Sequence, residues 1–156
     1  MTPNVDERLA SVVRALSEVI LPHLPPEASL AQEQVHLCIG HLQILRAQID
    51  AVPAFEREER DDAMMLARDL ADVIDGGAKT TAALNGMRAA LQASAMDDVR
   101  GGRKAVLEAI DALVKATSCD GTQAAKAALS ATILRHETQR TLKDRQWFAP
   151  FGFDTL

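Results

Sequence analysis

One pair of residues has the spacing of a metal-binding helix. Glu33 and His36 stand three positions apart, so a helix places both side chains on one face. Helical bundles that hold two metal ions use two such Glu-x-x-His pairs and two further glutamates. This chain has one copy, and the region around His136 does not repeat the spacing. A polar strip explains the pair better, so we predict no metal site and no bound cofactor.

A second cluster stands where an apolar helical stripe becomes polar. The stripe that includes Leu129 continues into His136 and Arg140, which lie one turn apart. The planar fork of arginine suits a carboxylate or phosphate, and histidine titrates near neutral pH. One interpretation is a small-molecule or metal-binding bundle with a polar ligand pocket around His136 and Arg140. Glu33 and His36 are further candidate residues of that pocket.

The alternative interpretation of the same cluster is structural. The stripe reaches the edge of the core there, and Arg140 pairs with a nearby acid or stacks on Trp147. A third, weaker interpretation is an enzyme that uses the cluster as its pocket. The chain contains no Gly-x-Ser-x-Gly, phosphate-loop, dinucleotide-binding or His-Glu-x-x-His motif. We therefore predict a protein without catalytic activity and assign no catalytic residues.

The aromatic residues are concentrated near the C-terminus. Four of the five lie within seven positions, and the fifth, Phe55, is far upstream. The four are Trp147, Phe148, Phe151 and Phe153. Since proline and glycine break helices, the segment 146–156 is predicted to be a non-helical tail. Aromatic side chains bury large areas, so the tail either packs back on an aliphatic bundle or docks on a second copy or another protein.

The spacing of apolar residues predicts an all-α protein, an antiparallel bundle of five to six helices in a single domain, 1–156. The first helix begins after a capping box at Asn4 and Glu7. Two glycines at 76–77 end the third helix, and Gly101-Gly102 is interpreted as a linker between the fourth and the fifth. The predicted helices span about 5–20, 29–51, 54–74, 79–95, 103–117 and 123–145.

The second helix is apolar on two opposite faces, so it must be covered twice. It is either the central helix of the bundle, or it gives one face to a second subunit. Leu37 and Ile44 lie on the face that a partner would cover. The charged run 56–62, near the start of the third helix, is interpreted as a solvated surface because acids there complement the helix dipole.

Charge and composition exclude some partners. The net charge of −5 is spread along the chain, whereas binding to nucleic acid or to an acidic membrane surface needs basic stripes. No apolar run reaches about 18 residues, the length of a membrane-spanning helix. Cys38 and Cys119 lack metal-ligand spacing and are expected to be reduced. We therefore predict a cytoplasmic protein that binds neither nucleic acid nor membrane.

The segment 9–25, LASVVRALSEVILPHLP, followed by a helix like the one over 39–50, resembles the start of small uncharacterised bacterial helical proteins. Those proteins are encoded near aminoglycoside-phosphotransferase-like kinases and acyl-CoA dehydrogenases. The resemblance implies an accessory role beside such enzymes and carries over no functional residues. Together with the residue patterns, it favours a protein-interaction or accessory module that forms a homodimer or another homo-oligomer, with a protein partner as the other expectation.

Overall fold

The computed structural model describes residues 4–94 and 98–151. Over those residues the chain is all-α, which confirms the predicted fold class. Its six α-helices are α1 Val5–Arg14, α2 Ser29–Gln48, α3 Val52–Val73, α4 Ala78–Ser94, α5 Val99–Asp120 and α6 Gln123–Phe148. They divide between two compact units, Met1–Val52 and Pro53–Leu156, a finer division than the single domain expected from chain length.

The first unit is a helical hairpin. α1 begins at the predicted capping box, in which the Glu7 amide donates to Asn4 Oδ1 at 2.8 Å and the Asn4 amide donates to Glu7 Oε2 at 2.9 Å. A π-helical segment, Ala15–Ile20, then continues α1. Arg46 on α2 donates to both carboxylate oxygens of Asp6, at 2.8 and 3.1 Å. This pairing shows that α1 and α2 run antiparallel, and it lowers the pKa of Asp6.

The hairpin buries little of its apolar surface. Within residues 4–52, Ile44 is the single side chain that is buried. Leu9 and Val13 on α1 and Leu16 in the π-helical segment are half-buried, so this part of the surface faces α2. The rest of the apolar surface of α1 remains exposed.

The second unit has an aliphatic core to which α3, α4, α5 and α6 all contribute. Leu70, Met87, Val106 and Leu113 are fully enclosed in it. Among the described residues, its buried apolar members are Ala63, Met64, Leu66, Ala67, Leu70, Ile74, Leu84, Met87, Val106, Ile110, Leu113, Ala125 and Leu129. None of them is aromatic, in line with the aliphatic core that the composition predicts.

Asp120 links the end of α5 to the start of α4. Its carboxylate accepts hydrogen bonds from the backbone amides of Lys79 and Thr80, at 2.8 and 3.0 Å, and from the Thr80 hydroxyl at 2.6 Å. The first amides of a helix lack partners within the helix, so Asp120, from the last turn of α5, caps the start of α4. These hydrogen bonds, led by the Thr80 hydroxyl, lower the pKa of Asp120.

The turns on either side of this cap also touch. Thr122, the N-cap of α6, donates its hydroxyl to Asp75 at 2.6 Å. A β-bridge links Gly76 to Gly121, and a Cβ atom added to Gly76 would lie 2.9 Å from the Gly121 Cα. Glycine is needed here because the two backbones approach too closely for a side chain. We call residues 75–80 and 120–122 the turn junction.

The structure corrects two predicted boundaries. Gly101 and Gly102 are not a linker but lie in the first turns of α5, which Asp98 caps by accepting from the Gly101 amide at 2.9 Å. Gly102 is buried, and a Cβ atom there would lie 3.0 Å from the Ser94 carbonyl oxygen. The glycine therefore allows α4 and α5 to pack closely. At the other boundary, α6 runs to Phe148, so residues 146–148 are helical instead of part of an irregular tail.

We predict that Asp120→Ala lowers the melting temperature by several degrees, because it leaves two helix-terminal amides and the fully buried Thr80 hydroxyl without their acceptor. The matched control is Asp111→Ala, which removes an exposed acid of the same helix that pairs only with Lys115 one turn away. The measurement is thermal unfolding followed by circular dichroism. Equal melting temperatures for the two variants would contradict the role of Asp120.

The lowered pKa of Asp120 also predicts a pH dependence. In the folded protein Asp120 stays ionised at pH values where the unfolded chain is protonated, so its contribution is complete above the unfolded pKa of about 3.9 and is lost as pH falls further. The difference in unfolding free energy between the parent protein and Asp120→Asn should therefore shrink below about pH 4. Urea denaturation over a pH series measures it, and a constant difference refutes the prediction.

Candidate functional site

Charged side chains pair α3 with α6 beyond the aliphatic core. Asp69 on α3 accepts from Arg135 at 2.7 Å and lies 2.8 Å from His136 Nε2. The His136 side chain is 11% exposed, so the carboxylate orients a ring that is almost enclosed. Because Asp69 accepts hydrogen bonds, Nε2 is the protonated nitrogen of this contact.

Lys143 continues the pairing two turns further along α6. Its ammonium group lies 2.6 Å from Asp62 and 3.5 Å from Glu58, and 5.6 Å from the centre of the Phe55 ring. Burial alone would lower the pKa of Lys143, but the hydrogen bond that the ammonium group donates to Asp62, together with the negative charge of Asp62, raises it above the ordinary value. The lysine is therefore held in its charged form between two acids and an aromatic face.

The last turn of α6 ends this pairing with an aromatic contact. Trp147 stacks on Phe55 with 4.4 Å between ring centroids and 25° between ring planes. Such pairs contribute about 0.5–1.5 kcal/mol beyond the area they bury. At least the first aromatic residue of the C-terminal group therefore packs back within the same chain.

Glu59 is the most unusual residue of this region. Its side chain is 7% exposed, and Oε2 accepts from Arg103 on α5 at 2.6 Å. The other oxygen, Oε1, is buried and has no hydrogen-bond partner, since Lys143 Nζ lies 4.0 Å away. A buried acceptor without a partner costs roughly 1–3 kcal/mol, so this atom marks a place where a donor is missing.

The charged run 56–62 is therefore a solvated surface only in part, because Arg57, Glu58 and Asp61 are exposed whereas Glu59 is buried. Glu56 accepts from Arg100 at 2.8 Å, and Glu59 and Asp62 pair with α5 and α6. Helical spacing explains the correction, because Glu59 precedes buried Ala63 by one turn and Leu66 by two, on the same face of α3.

Glu59 lines a cavity of about 170 Å³ between α3, α5 and α6. His136 and Arg140 line it as well, so the structure brings together the two residues that the sequence singled out on α6. Arg140 is loosely held, with Glu137 at 3.5 Å and Asp144 at 3.8 Å. The cavity wall consists of Glu59, Asp62, Ala63, Met65, Leu66, Arg103, Leu107, His136, Glu137, Gln139, Arg140 and Lys143.

A wider groove of about 590 Å³ adjoins it, lined by Glu56 and by one side of α5 from Val99 to Asp111. Arg103 and Leu107 belong to both. The groove is open. Its acids Glu56, Glu108 and Asp111 each pair with a nearby base, Arg100, Lys104 and Lys115 respectively. We assign the cavity, not the groove, as the candidate site.

The other predicted site residues lie elsewhere. Glu33 and His36 are exposed on α2 in the first unit, where His36 Nδ1 lies 2.8 Å from the Gln32 carbonyl oxygen. Of the two residues assigned to an interface on α2, Leu37 is exposed and Ile44 is buried. Across residues 4–94 and 98–151, no three histidine, cysteine or acidic side chains are grouped so that they could hold a metal ion.

The remaining aromatic residues of the C-terminal group are less informative. Phe148 is 42% exposed at the end of α6. The backbone of Phe151 lies in a 3₁₀ turn, Ala149–Phe151. Phe153 is outside the described residues.

Comparison with known proteins gives no relative, since no family model, curated protein or solved structure matches the chain. Among the helices described here, none has the length and hydropathy needed to cross a membrane.

Trp147 is the sole tryptophan, so its fluorescence reports the contact with Phe55 directly. We predict that Phe55→Leu shifts the emission maximum to longer wavelength, because water gains access to the indole. The control is Val73→Leu, an exposed position at the opposite end of α3, which should leave the spectrum unchanged. An emission like that of free indole in the parent protein would contradict the stacked arrangement.

Proposed function

We propose that this protein is a non-catalytic interaction module that self-associates through its first unit. The observation that carries the proposal is an exposed apolar surface on the α1–α2 hairpin, in a unit where Ile44 alone is buried among residues 4–52. Large exposed apolar surfaces on soluble proteins mark interaction sites.

The α1 side of this surface follows the helical repeat. Val5 and Val12 are seven residues apart and are 56% and 48% exposed. The π-helical segment adds a residue to the next turn, so Ile20, not Val19, continues the line. Ile20 is 43% exposed.

The α2 side carries a matching line. Ala31, Cys38 and Leu45 recur at seven-residue intervals, and all three are exposed. Since Asp6 pairs with Arg46, the antiparallel arrangement brings Val5 and Leu45 to the same end of the hairpin. Helical geometry then places both lines on one side of the hairpin. We call this surface the hairpin face, made of Val5, Val12, Ile20, Ala31, Cys38 and Leu45.

The opposite side of the hairpin is polar. Glu7, Arg14, His36 and Gln43 are directed there by the same helical geometry, and all are exposed. A hairpin with one apolar side and an opposite polar side matches one half of a four-helix bundle. The exposed Leu30 and Leu37 lie on a third side, where α2 is turned away from α1.

A second copy of this chain is the occupant that fits. The hairpin face carries no charged side chain, and seven-residue spacing is the pattern by which helices interlock in pairs. α2 has 20 residues, which gives a hairpin about 30 Å long and about 20 Å wide, hence a face of about 600 Å² in plan. Specific interfaces bury about 1,200–2,000 Å² in total over both partners, and two such faces together reach the lower end of that range.

The resemblance of residues 9–25 to bacterial helical proteins encoded beside kinases and acyl-CoA dehydrogenases adds an accessory role to this proposal. In that role the dimer would present its polar surfaces to a partner enzyme. Trp147 of the C-terminal aromatic group stacks on Phe55 of the same chain. This contact favours the hairpin face over the C-terminal aromatic group as the self-association surface.

We predict that the chain sediments at twice its mass of 16.8 kDa and that Val12→Glu converts it to a monomer with unchanged helicity. A charge at the centre of an apolar interface is costly to bury. Ser11→Glu is the matched control, because Ser11 is exposed on the neighbouring polar side of α1. A monomeric parent chain at high micromolar concentration, or a Val12→Glu variant of dimeric mass, overturns the proposal.

A symmetric dimer makes a second prediction. Residues at the centre of a two-fold interface lie near their own copies, and Cys38 is central in the hairpin face. Mild oxidation with copper phenanthroline should therefore link two chains through Cys38. The Cys119→Ser variant should still form the link, whereas Cys38→Ser should not. Both cysteines are free and exposed, so a link that depends on Cys119 would count against this interface.

A further inference from the structure

The cavity between α3, α5 and α6 has features of a binding site that self-association does not explain. Its volume of about 170 Å³ resembles that of protein cavities that bind molecules the size of benzene. The wall combines apolar side chains, such as Leu66 and Leu107, with several charged groups. A ligand for this cavity is therefore small and carries polar ends.

The buried oxygen of Glu59 defines one end. Glu59 is more than nine-tenths buried, Oε2 is engaged by Arg103, and Oε1 lacks any hydrogen-bond partner. Lys143 lies 4.0 Å from Oε1 and is held at 2.6 Å by Asp62 instead. An acceptor of this kind is complemented by a ligand that donates, and an ammonium group donates best to a carboxylate.

Arg140 defines the other end. It contacts Glu137 and Asp144 at 3.5 and 3.8 Å, whereas Arg103 and Lys143 each make an ion pair of 2.6 Å. A guanidinium group in loose contact can still bind a carboxylate through two parallel hydrogen bonds. The site thus offers one unfilled acceptor and one loosely engaged cation.

The balance of charges in the cavity wall also favours a ligand with both a positive and a negative group. Three acids, Glu59, Asp62 and Glu137, are balanced by three bases, Arg103, Arg140 and Lys143. A ligand with a net charge would upset this balance, whereas a ligand with one charge of each sign would not.

From these observations we infer that the cavity binds a small aminocarboxylate. Its ammonium group donates to the Glu59 carboxylate, which turns Oε1 toward the cavity to accept the bond, and its carboxylate is held by Arg140. The apolar wall at Leu66 and Leu107 covers the short carbon chain between the two charged ends. The site lies wholly within the second unit, so it is independent of the proposed dimer, and either can fail without the other.

The test uses probes of increasing charge separation: free glycine, β-alanine and γ-aminobutyrate. Propylamine and propionate are the matched probes, because each keeps one charge of β-alanine and loses the other. Isothermal titration calorimetry on the full chain should give saturable binding for at least one aminocarboxylate. Each single-charge probe should bind at least about tenfold more weakly, since it leaves one end of the site unfilled.

Variants locate the binding. Arg140→Gln should weaken binding at least about tenfold while leaving the melting temperature unchanged, because Arg140 makes only long contacts. Arg88→Gln is the control, since Arg88 is exposed on α4 outside the cavity wall and should bind as the parent does. Glu59→Gln should also lose binding, but it disturbs Arg103, so Arg140→Gln decides the question if that variant unfolds.

Three results would overturn the inference. The first is that none of the aminocarboxylates binds saturably to the folded protein at millimolar concentration, which would mean that Glu59 accepts from no ligand of this class. The second is that propylamine binds as tightly as β-alanine, which would mean a cation site without a role for Arg140. The third is that Arg140→Gln binds as tightly as the parent.

Discussion

The second unit depends on the hydrogen bonds that Asp120 makes across the chain. The first backbone amides of a helix usually donate to a side chain of the residue just before the helix. In α4 they donate to Asp120 in the last turn of α5, 40 residues away. One carboxylate therefore fixes the start of α4 relative to the end of α5. The glycines at 76 and 121 let the two backbones meet there. The edge along which α3 meets α6 is held instead by contacts between side chains.

That edge changes character along its length. Near the turn junction α3 and α6 share the aliphatic core, at Leu70 and Leu129. Further along, acids of α3 meet bases of α6, and an aromatic stack closes the far end. A purely aliphatic edge would have been simpler to pack, because removing charges from water is costly unless they are fully paired. Among the buried carboxylate oxygens of the described residues, only Glu59 Oε1 has no partner, and this is the reason to regard the edge as a site as well as a packing surface.

Much of the fold could be predicted from the sequence, and the errors have physical causes. Apolar periodicity and capping residues gave the all-α class and the approximate extent of the helices. Gly101-Gly102 was misinterpreted because a glycine needed for close helix packing cannot be told from a linker without knowing what approaches it. His136 and Arg140 were found because an apolar stripe runs into them. Glu59 was missed inside a charged run, although its spacing from Ala63 and Leu66 placed it on the buried face. The Asp120 cap could not be foreseen, since it joins positions that only the folded chain brings together.

The turn junction has a consequence for how such a chain can change over time. Gly76 and Gly121 adjoin, so the segment between them, which contains α4 and α5, departs from the rest of the unit and returns to it at a single point. A helical pair with adjacent ends can be duplicated, exchanged or lengthened by recombination while the flanking helices keep their connection. Diversification of this architecture is therefore expected to occur by swapping that pair as a block, with α3 and α6 preserved as the constant frame.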